Sequence, residues 1–506
     1  MSYQVRQKIR GKIYIYEATS YWDPVAKRAK QKRKYLGVEN SDGKISTPRK
    51  EVKIKSVTEY GAIYLLNCLS EECKLKEVVK TVFPKDYQNI LNLVFFKVIE
   101  HDPYYLFQSW AEGTYLYEGL PLISQDLTKF MERLGDEEDL QKEFFQLWVR
   151  EHKNAGTLIF DITSISSHSK YNKWLEWGYN RDGEDLPQIT VGAIVSQDLG
   201  VPLAYRFCPG SIPDVATLKN TVLFAKDLGI SEIKFVLDKG FYSAKNIEQL
   251  ATDKIGFILP LCFSTRESQR IIKETNSALK LASNAFHHVH ELMYYVPTTV
   301  TVGQTKLQAH VYLNTQRQKE QLSVLLLKLT KIGEKVAETA LKAESIKKYL
   351  KEEFATYEKY FLVEDNTLKR NDLAIEAETL HFGKMILITN ETVTKQELLE
   401  IYVKKDMVEK YFDQMKNELD DRRLRVSSKN VFSGRLFITF LALILRTYLS
   451  SKSNKAKLNK QFTVAEILSQ LKLIRRVATS EGNYYLSEIS KNQRFCFEKL
   501  RIPIPT

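Results

Sequence analysis

From residue 156 onward the chain lays down, in order, "TLIFDITSIS", "QITVGAIVSQDLGVPLAYRF", "DVATLKNTVLFAKDLG", "EIKFVLDKGF" and "IGFILPLCF". No other feature narrows the possible folds so far. The first and fourth runs are short, apolar and rich in β-branched residues, as strands buried on both faces are. The second alternates on either side of Asp198-Leu199-Gly200, a hairpin pattern. The third carries apolar residues at helical spacing. Strand, hairpin, helix and strand in that order predict a mixed α/β sheet. Each buried run meets a carboxylate, Asp161 after "TLIF" and Asp238 after "IKFVL". We expect both acids at or just past the ends of their strands, at the sheet edge where α/β sites lie.

A third acid comes from "ELLEIYVKKDMVEKYFDQMKNEL", which reads as one helix behind a strand-like "KMILITN" (Lys384 to Asn390). Val408, Tyr411, Phe412, Met415 and Leu419 have core-facing spacing, and Thr394 with Glu397 resembles a capping box. At about 100° per residue, Tyr402, Lys405, Glu409 and Lys416 fall within about 60° of one another. The stripe reads either as a solvated ion-pair ladder or as one wall of an active site. Taken singly, each acid has a plain reading, a turn or cap for the aspartates and a weak surface pair for Glu409. Taken together, three carboxylates without a His/Cys cluster favour a hard, oxygen-liking ion, Mg²⁺ or Mn²⁺.

Charge points to the partner. The net charge is +13, and residues 1–55 hold fifteen Lys/Arg against five Asp/Glu, a local +10. "GKIYIYEATSYW" and "KRKYLGV" alternate as strands around "DPVAKRAKQKRK", which contains Lys27, Arg28, Lys30, Lys32, Arg33 and Lys34. Tyr14, Tyr16, Tyr21, Trp22 and Tyr35 flank these cations. Basic loops beside aromatics suit contact with nucleic-acid phosphates, bases and sugars; the competing reading is a solvated loop on a small sheet.

A length of 506 residues suggests several units. The division expected is a basic arm at 1–55, a helical region at 56–150, an α/β core at 151–263 resuming at 381–450, an insertion at 264–380 and a helical tail at 451–506. Ser124 is a candidate cap in the helical region. Five scattered cysteines without a CxxC pair fit a reducing cytoplasm. The N-terminus lacks the apolar core of a signal peptide. "LFITFLALIL" (Leu436 to Leu445) is too short for a bilayer, which needs about 20 residues, and reads as a buried helix, so no membrane is expected. "HHVH" (His287, His288, His290) reads as a polar strand, with a soft-metal pair of His288 and His290 on one strand face as the sharper alternative. Asp214 reads as a helix cap rather than a fourth acid, and Trp174 and Trp177 as packing residues, with stacking on DNA as the alternative.

"LIFDITSIS", "VLDKGF" and "YVKKDMVEKYFDQMK" resemble the three signature regions of DDE transposases from bacterial insertion sequences. The branch resembled carries Tyr-x2-Arg-x3-Glu-x6-Lys in its third region. Tyr402, Glu409 and Lys416 stand at the matching positions, and Lys405 replaces the Arg. "GYNRDGEDLPQITVGAIV", "GVPLAYRFCPGSIPDVATL" and the "YWDPVAKRAKQKRKYLG" arm are also similar, with Ser211 where Asn is usual. The resemblance covers most of residues 1–450. It implies an RNase H-like catalytic core with an insertion domain, a basic β arm and a helical region. It further implies Asp161, Asp238 and Glu409 as catalytic holders of two divalent ions, with Tyr402, Lys405 and Lys416 on DNA phosphates. The expected partners are double-stranded DNA, as terminal inverted repeats and target, and a second copy or more of the chain in a synaptic complex. The expected location is the bacterial cytoplasm, at the nucleoid when DNA-bound. Two rivals stay open: an RNase H-fold nuclease without strand transfer, and a transposase-derived DNA-binding regulator without chemistry.

Overall fold

The computed structural model describes residues 2–40, 42–46, 53–117, 122–152, 157–168, 175–178, 183–211, 214–230, 233–339, 343–364, 367–418, 423–424 and 428–506. The chain forms two compact units, Met1–Thr58 with Arg475–Glu488, and Glu59–Ile474 with Ile489–Thr506.

The first unit carries an antiparallel sheet of β1 (Ser2–Ile9), β2 (Lys12–Asp23), β3 (Arg28–Glu39) and β4 (Ile45–Ser46), in that order. The β2–β3 turn is held by Asp23, whose Oδ1 accepts from the backbone N–H of Val25 and of Ala26, both at 3.0 Å. A short side chain that bonds its own backbone ahead is a standard way to close a turn. A second small sheet joins β5 (Ile54–Glu59) to the strands Arg475–Thr479 and Tyr484–Leu486.

In the second unit β6 (Leu158–Ser167), β7 (Gln188–Ser196) and β8 (Val201–Pro209) form an antiparallel meander. The β7–β8 turn falls on the expected Asp198-Leu199-Gly200, with Gly200 at φ +68°. On its other side β6 pairs in parallel with β9 (Lys234–Val236), which pairs in parallel with β10 (Gly256–Pro260). All nine residues of β7 are buried, including Gln188, Thr190 and Ser196, although its alternating pattern predicts one open face. Next in the chain are β11 (Ala285–His288), β12 (Glu291–Val302) and β13 (Thr305–Asn314), and after them β14 (Phe361–Glu364), β15 (Thr367–Arg370), β16 (Lys384–Thr389) and β17 (Arg423–Leu424). The full order is β11-β12-β13-β16-β10-β9-β6-β7-β8, with β17 added in parallel to β6. The fold is therefore mixed α/β.

The stretch 264–380 does not stand apart as one block. Strands β11–β13 extend the main sheet, because β13 pairs with β16 along Gln308–Leu313. Only the segment after β13 has its own small core, with Leu325, Leu329, Ile332, Val336, Ile346, Leu350, Tyr360 and Phe361. "HHVH" also differs from a plain strand: β11 ends at His288, and Val289 and His290 take positive φ in the turn. His288 and His290 therefore do not share a strand face.

Residues 61–151 are helical, as their periodicity predicts, with Gly61–Glu72, Leu75–Val82, Tyr87–Glu100, Ser124–Asp136 and Glu138–Glu151 as the main elements. Ser124 is the first residue of its helix, one place inside the cap position held by Ile123. These helices pack around Lys429–Lys455, whose Phe437 to Leu445 are all at most 2% exposed. By length and composition that helix is apolar enough to cross a membrane, yet 78% of its apolar window is buried inside the protein. It is a core helix. Trp148 ties the helical region to the sheet, donating its indole N–H to the Pro202 carbonyl at 2.9 Å. Of the two tryptophans read as packing residues, Trp177 is 64% exposed and Trp174 lies outside the described residues. The side chain of Asp214, at the first position of the helix Asp214–Asp227, also lies outside them.

Candidate active site

Asp161 is not at a strand end. It is the fourth of ten residues in β6, paired with Ala193, and the ladder continues to Ser166↔Gln188. The residues after it, "ITSIS", are β-branched or small and buried, so the strand runs through the acid. A lone charge is not a strand stop when its side chain is only half-buried. Asp161 Oδ1 accepts from the Ile162 N–H at 2.9 Å. Asp238 does lie past its strand, two residues beyond Val236, where its carbonyl accepts from the Phe241 N–H and opens a single 3₁₀ turn. The parallel register pairs Ile159 with Val236, so two residues further along each strand Asp161 and Asp238 come level.

The segment bearing Glu409 is not one helix. Lys395–Val403 is capped by Thr394, whose hydroxyl accepts from the Glu397 N–H, and it stops at Lys404. A second helix, Asp406–Asp413, packs on β6, and Gln414–Glu418 winds as a π-helix. Val408, Tyr411, Phe412 and Met415 are buried as their spacing predicts; Leu419 lies outside the described residues. The single-helix stripe is thus interrupted twice, between Tyr402 and Glu409 and again before Lys416. The straight 100° progression does not hold across it.

The break puts Lys405 at the joint. Its Nζ lies 3.0 Å from Asp238 Oδ1 and 3.5 Å from Glu409 Oε1. The Lys405 side chain is 8% exposed, against 38% for Asp238 and 61% for Glu409. Burial pushes the ammonium pKa down, but Asp161 and Asp238 more than offset it, and the net shift is upward. One buried cation is therefore drawn by all three acids. Tyr402, half-buried nearby, has its phenol pushed up chiefly by burial, while Lys405 pulls it down. Lys416 is buried on the π-helical turn.

A cavity of about 260 Å³ adjoins these residues, lined by Tyr402, Lys405, Glu409, Arg317, Lys384 and His288 among others. Sequence reasoning did not single out Arg317 or Lys384. Arg317 belongs to the helix that follows β13, and its approach to Glu409 depends on β13 joining β16, for which local sequence carries no signal. Lys384 gives hydrogen bonds to Asn276 Oδ1 at 2.6 Å and the Leu380 carbonyl at 2.7 Å, and burial pushes it down to about 8.

Among the described residues no three His, Cys, Asp or Glu side chains gather closely enough to form a metal-holding group. The donor chemistry nonetheless suits a divalent ion: three carboxylates, no soft ligand, and an ammonium standing between them as a monovalent stand-in.

In the other unit Lys27, Arg28, Lys32, Arg33 and Lys34 are exposed, with Lys27 in the β2–β3 turn and the rest on β3. Lys30 is half-buried and ion-paired to Asp23, a pairing the sequence reading did not foresee. Strand alternation sets Arg28, Lys30, Lys32 and Lys34 on one face in steps of about 6.8 Å, with Arg33 on the other. Around the turn Val25 is 92%, Trp22 64% and Tyr21 50% exposed. In the second unit, Ser211 Oγ donates to Glu176 Oε2.

Residues 153–445 match the family described as the transposase DDE domain. Comparison with curated proteins returns no match. Among solved structures, similarity is found to a piggyBac transposase synaptic complex with hairpin DNA, at a TM-score of 0.34 and 10% identity, over 81% of this chain and 70% of that one. A likeness that weak defines neither fold nor site.

Proposed function

The chain belongs to the transposase DDE-domain family, and on that premise we propose that it is a DNA transposase of the bacterial insertion-sequence branch, with an RNase H-like core. The order β8-β7-β6-β9-β10, antiparallel across the first three and parallel across the last three, supports that core. The reading rests above all on one observation: Asp161 in β6 is level with Asp238 just past the neighbouring parallel strand β9, and Lys405 Nζ lies 3.0 Å from Asp238 and 3.5 Å from Glu409 while Asp161 acts on it at longer range.

In this reading Asp161, Asp238 and Glu409 hold Mg²⁺ or Mn²⁺, two ions in the full site. Bound there, the ions would activate a water or a 3′-hydroxyl and stabilise the leaving oxygen. The protein residues supply placement and charge. Tyr402 presents a phenol, and Lys405 and Lys416 present ammonium groups, to the phosphates of the element's end. Water attacks the phosphodiester at that end and frees a 3′-hydroxyl, which then attacks target DNA by direct transesterification, without a covalent enzyme intermediate. Joining two ends to one target requires at least two copies of the chain on DNA. The exposed ribbon cations Lys27, Arg28, Lys32, Arg33 and Lys34, with Lys30 paired to Asp23 among them, bind terminal-repeat or flanking DNA. A two-stranded ribbon is the right width for the major groove. Five free cysteines support a reducing compartment, and we place the protein in the bacterial cytoplasm.

The test supplies a pre-cleaved element end with a free 3′-hydroxyl, target DNA and Mg²⁺. A joined product is expected. Cleavage of intact ends without joining makes the protein a nuclease on the same fold. If Asp161→Ala leaves every measurable function in place, the protein is a DNA-binding regulator.

A further inference from the structure

Lys405 is oddly placed for a residue whose only task is to grip DNA. Its ammonium faces inward, 8% exposed, and Asp238 and Glu409, the two carboxylates beside it, are acids assigned to the metal. Without a cation, the acids it draws together would repel one another across a partly desolvated space, which is costly. Lys405 supplies that cation from within the chain. A lysine suits the place, since its charge is compact and sits on a flexible stem. The same side chain borders the cavity of about 260 Å³, lined also by Arg317, Lys384 and Tyr402 and by the acids Glu291, Asp406 and Glu409. Lys405 therefore has two places for one ammonium: among the carboxylates of the site, or in the cavity whose wall Arg317 shares.

We propose that Lys405 is an internal counter-ion that competes with divalent metal for Asp161, Asp238 and Glu409, and that metal entry releases its ammonium into the adjoining cavity, where it joins Arg317 in holding a DNA phosphate. This rests on the assignment of the three acids above. It makes phosphate binding conditional on metal: before metal arrives the DNA-facing cation is engaged, and the carboxylates are screened from adventitious cations. After metal arrives, the positive charge is handed to the side where phosphate lies. The coupling is reciprocal, so phosphate in the cavity also favours metal on the acids.

The experiment measures Mn²⁺ binding to the full-length protein without DNA, by electron paramagnetic resonance, in wild type, K405M, K404Q and D161N. Lys404 is exposed and one residue away, so K404Q removes an equal charge without touching the acids. K405M is expected to bind Mn²⁺ at least ~10-fold more tightly than wild type, against less than ~3-fold for K404Q. Because K405M leaves its acids uncompensated, a strain on folding, wild type is also footprinted with an amine-acetylating reagent read by mass spectrometry. Acetylation of Lys405 should rise at least ~5-fold when Ca²⁺ is added. Equal Mn²⁺ affinity in wild type and K405M, or Lys405 acetylation unchanged by Ca²⁺, overturns the competition and leaves the acid site standing. Mn²⁺ binding that D161N does not weaken overturns the acid site itself, and the proposal with it.

Discussion

The three acids contribute unequally, and their surroundings say how. Asp238 and Glu409 touch Lys405 directly, whereas Asp161 acts on it at longer range from within β6. Replacing Asp161 with Asn keeps the size and the Ile162 hydrogen bond while removing the charge. We expect D161N and D238N to lower end cleavage and end joining by at least ~10²–10³-fold, the scale on which a preorganised charge contact is lost. Binding to end DNA in a gel-shift assay should change less than ~3-fold. A parallel loss of DNA binding would mean that the acids organise the fold rather than the chemistry. Asp161 and Asp238 could be picked out from sequence because each follows an apolar, β-branched run of the kind buried strands have, and because both runs resemble a family signature. That they stand level could not, since it follows from a register between strands more than 70 residues apart. Lys405 was legible as a cation near Glu409. Its contact with Asp238, 167 residues away in sequence, depends on the helix breaking at Lys404, and "YVKKDMVEK" contains no Pro or Gly to announce a break.

At the scale of elements, the β2–β3 ribbon and the crossing of two helices each carry a distinct expectation. If the ribbon follows DNA phosphates, its cations displace counter-ions, each neutralised phosphate contributing about −0.9 to the slope of log K against log salt. The variant R28Q/K32Q/R33Q/K34Q should flatten that slope by ~2–4, measured by fluorescence anisotropy on one duplex across a salt series. Asp23 already engages Lys30, so adding K30Q should change the slope by less than the others do on average. An unchanged slope in the fourfold variant would leave the ribbon as a solvated sheet. The helices Ser124–Asp136 and Lys429–Lys455 meet at two glycines. A Cβ on Gly434 would lie 2.0 Å from the Met131 carbonyl oxygen, and one on Gly135 1.8 Å from that of Asn430. Backbone atoms cannot step aside cheaply, so G434A should destabilise the protein by ~2–3 kcal/mol in denaturant melts. Both helices were legible from their apolar periodicity. Their close crossing was not, because a glycine inside a helix pattern equally fits a harmless surface position. The extension of the main sheet by β11–β13 was hidden for a similar reason: alternation marks a strand but not its partner.

At the scale of the whole molecule, the main core runs without a break from the helices through the sheet to the C-terminal segment, so a stress applied in one part is felt in the others. His101 offers such a stress point. It follows the helix Tyr87–Glu100 in a left-handed conformation, with its Nδ1 buried and without a hydrogen bond. Burial, then the charges of Arg446 and Lys97, push its pKa down to about 4 from 6.5. A base whose folded pKa lies below its unfolded one takes up its proton more readily in the unfolded chain. Between about pH 6.5 and about pH 4 the unfolded state therefore binds the extra proton, and stability falls as pH drops through that window. The ring is partly open to solvent, so screening reduces the effect to ~1–2 kcal/mol over the window. H101Q keeps a polar side chain of similar reach and removes the titration. Thermal melts of wild type and H101Q, taken from pH 7 to pH 4, isolate the histidine from the carboxylates that titrate in both. Wild type should lose ~1–3 °C more than H101Q on acidification, and end-joining activity should fail together with the melt because one core carries both. Equal pH dependence in the two proteins would show that His101 takes up its proton without cost, and that its surroundings at the end of the helix Tyr87–Glu100 are open to water.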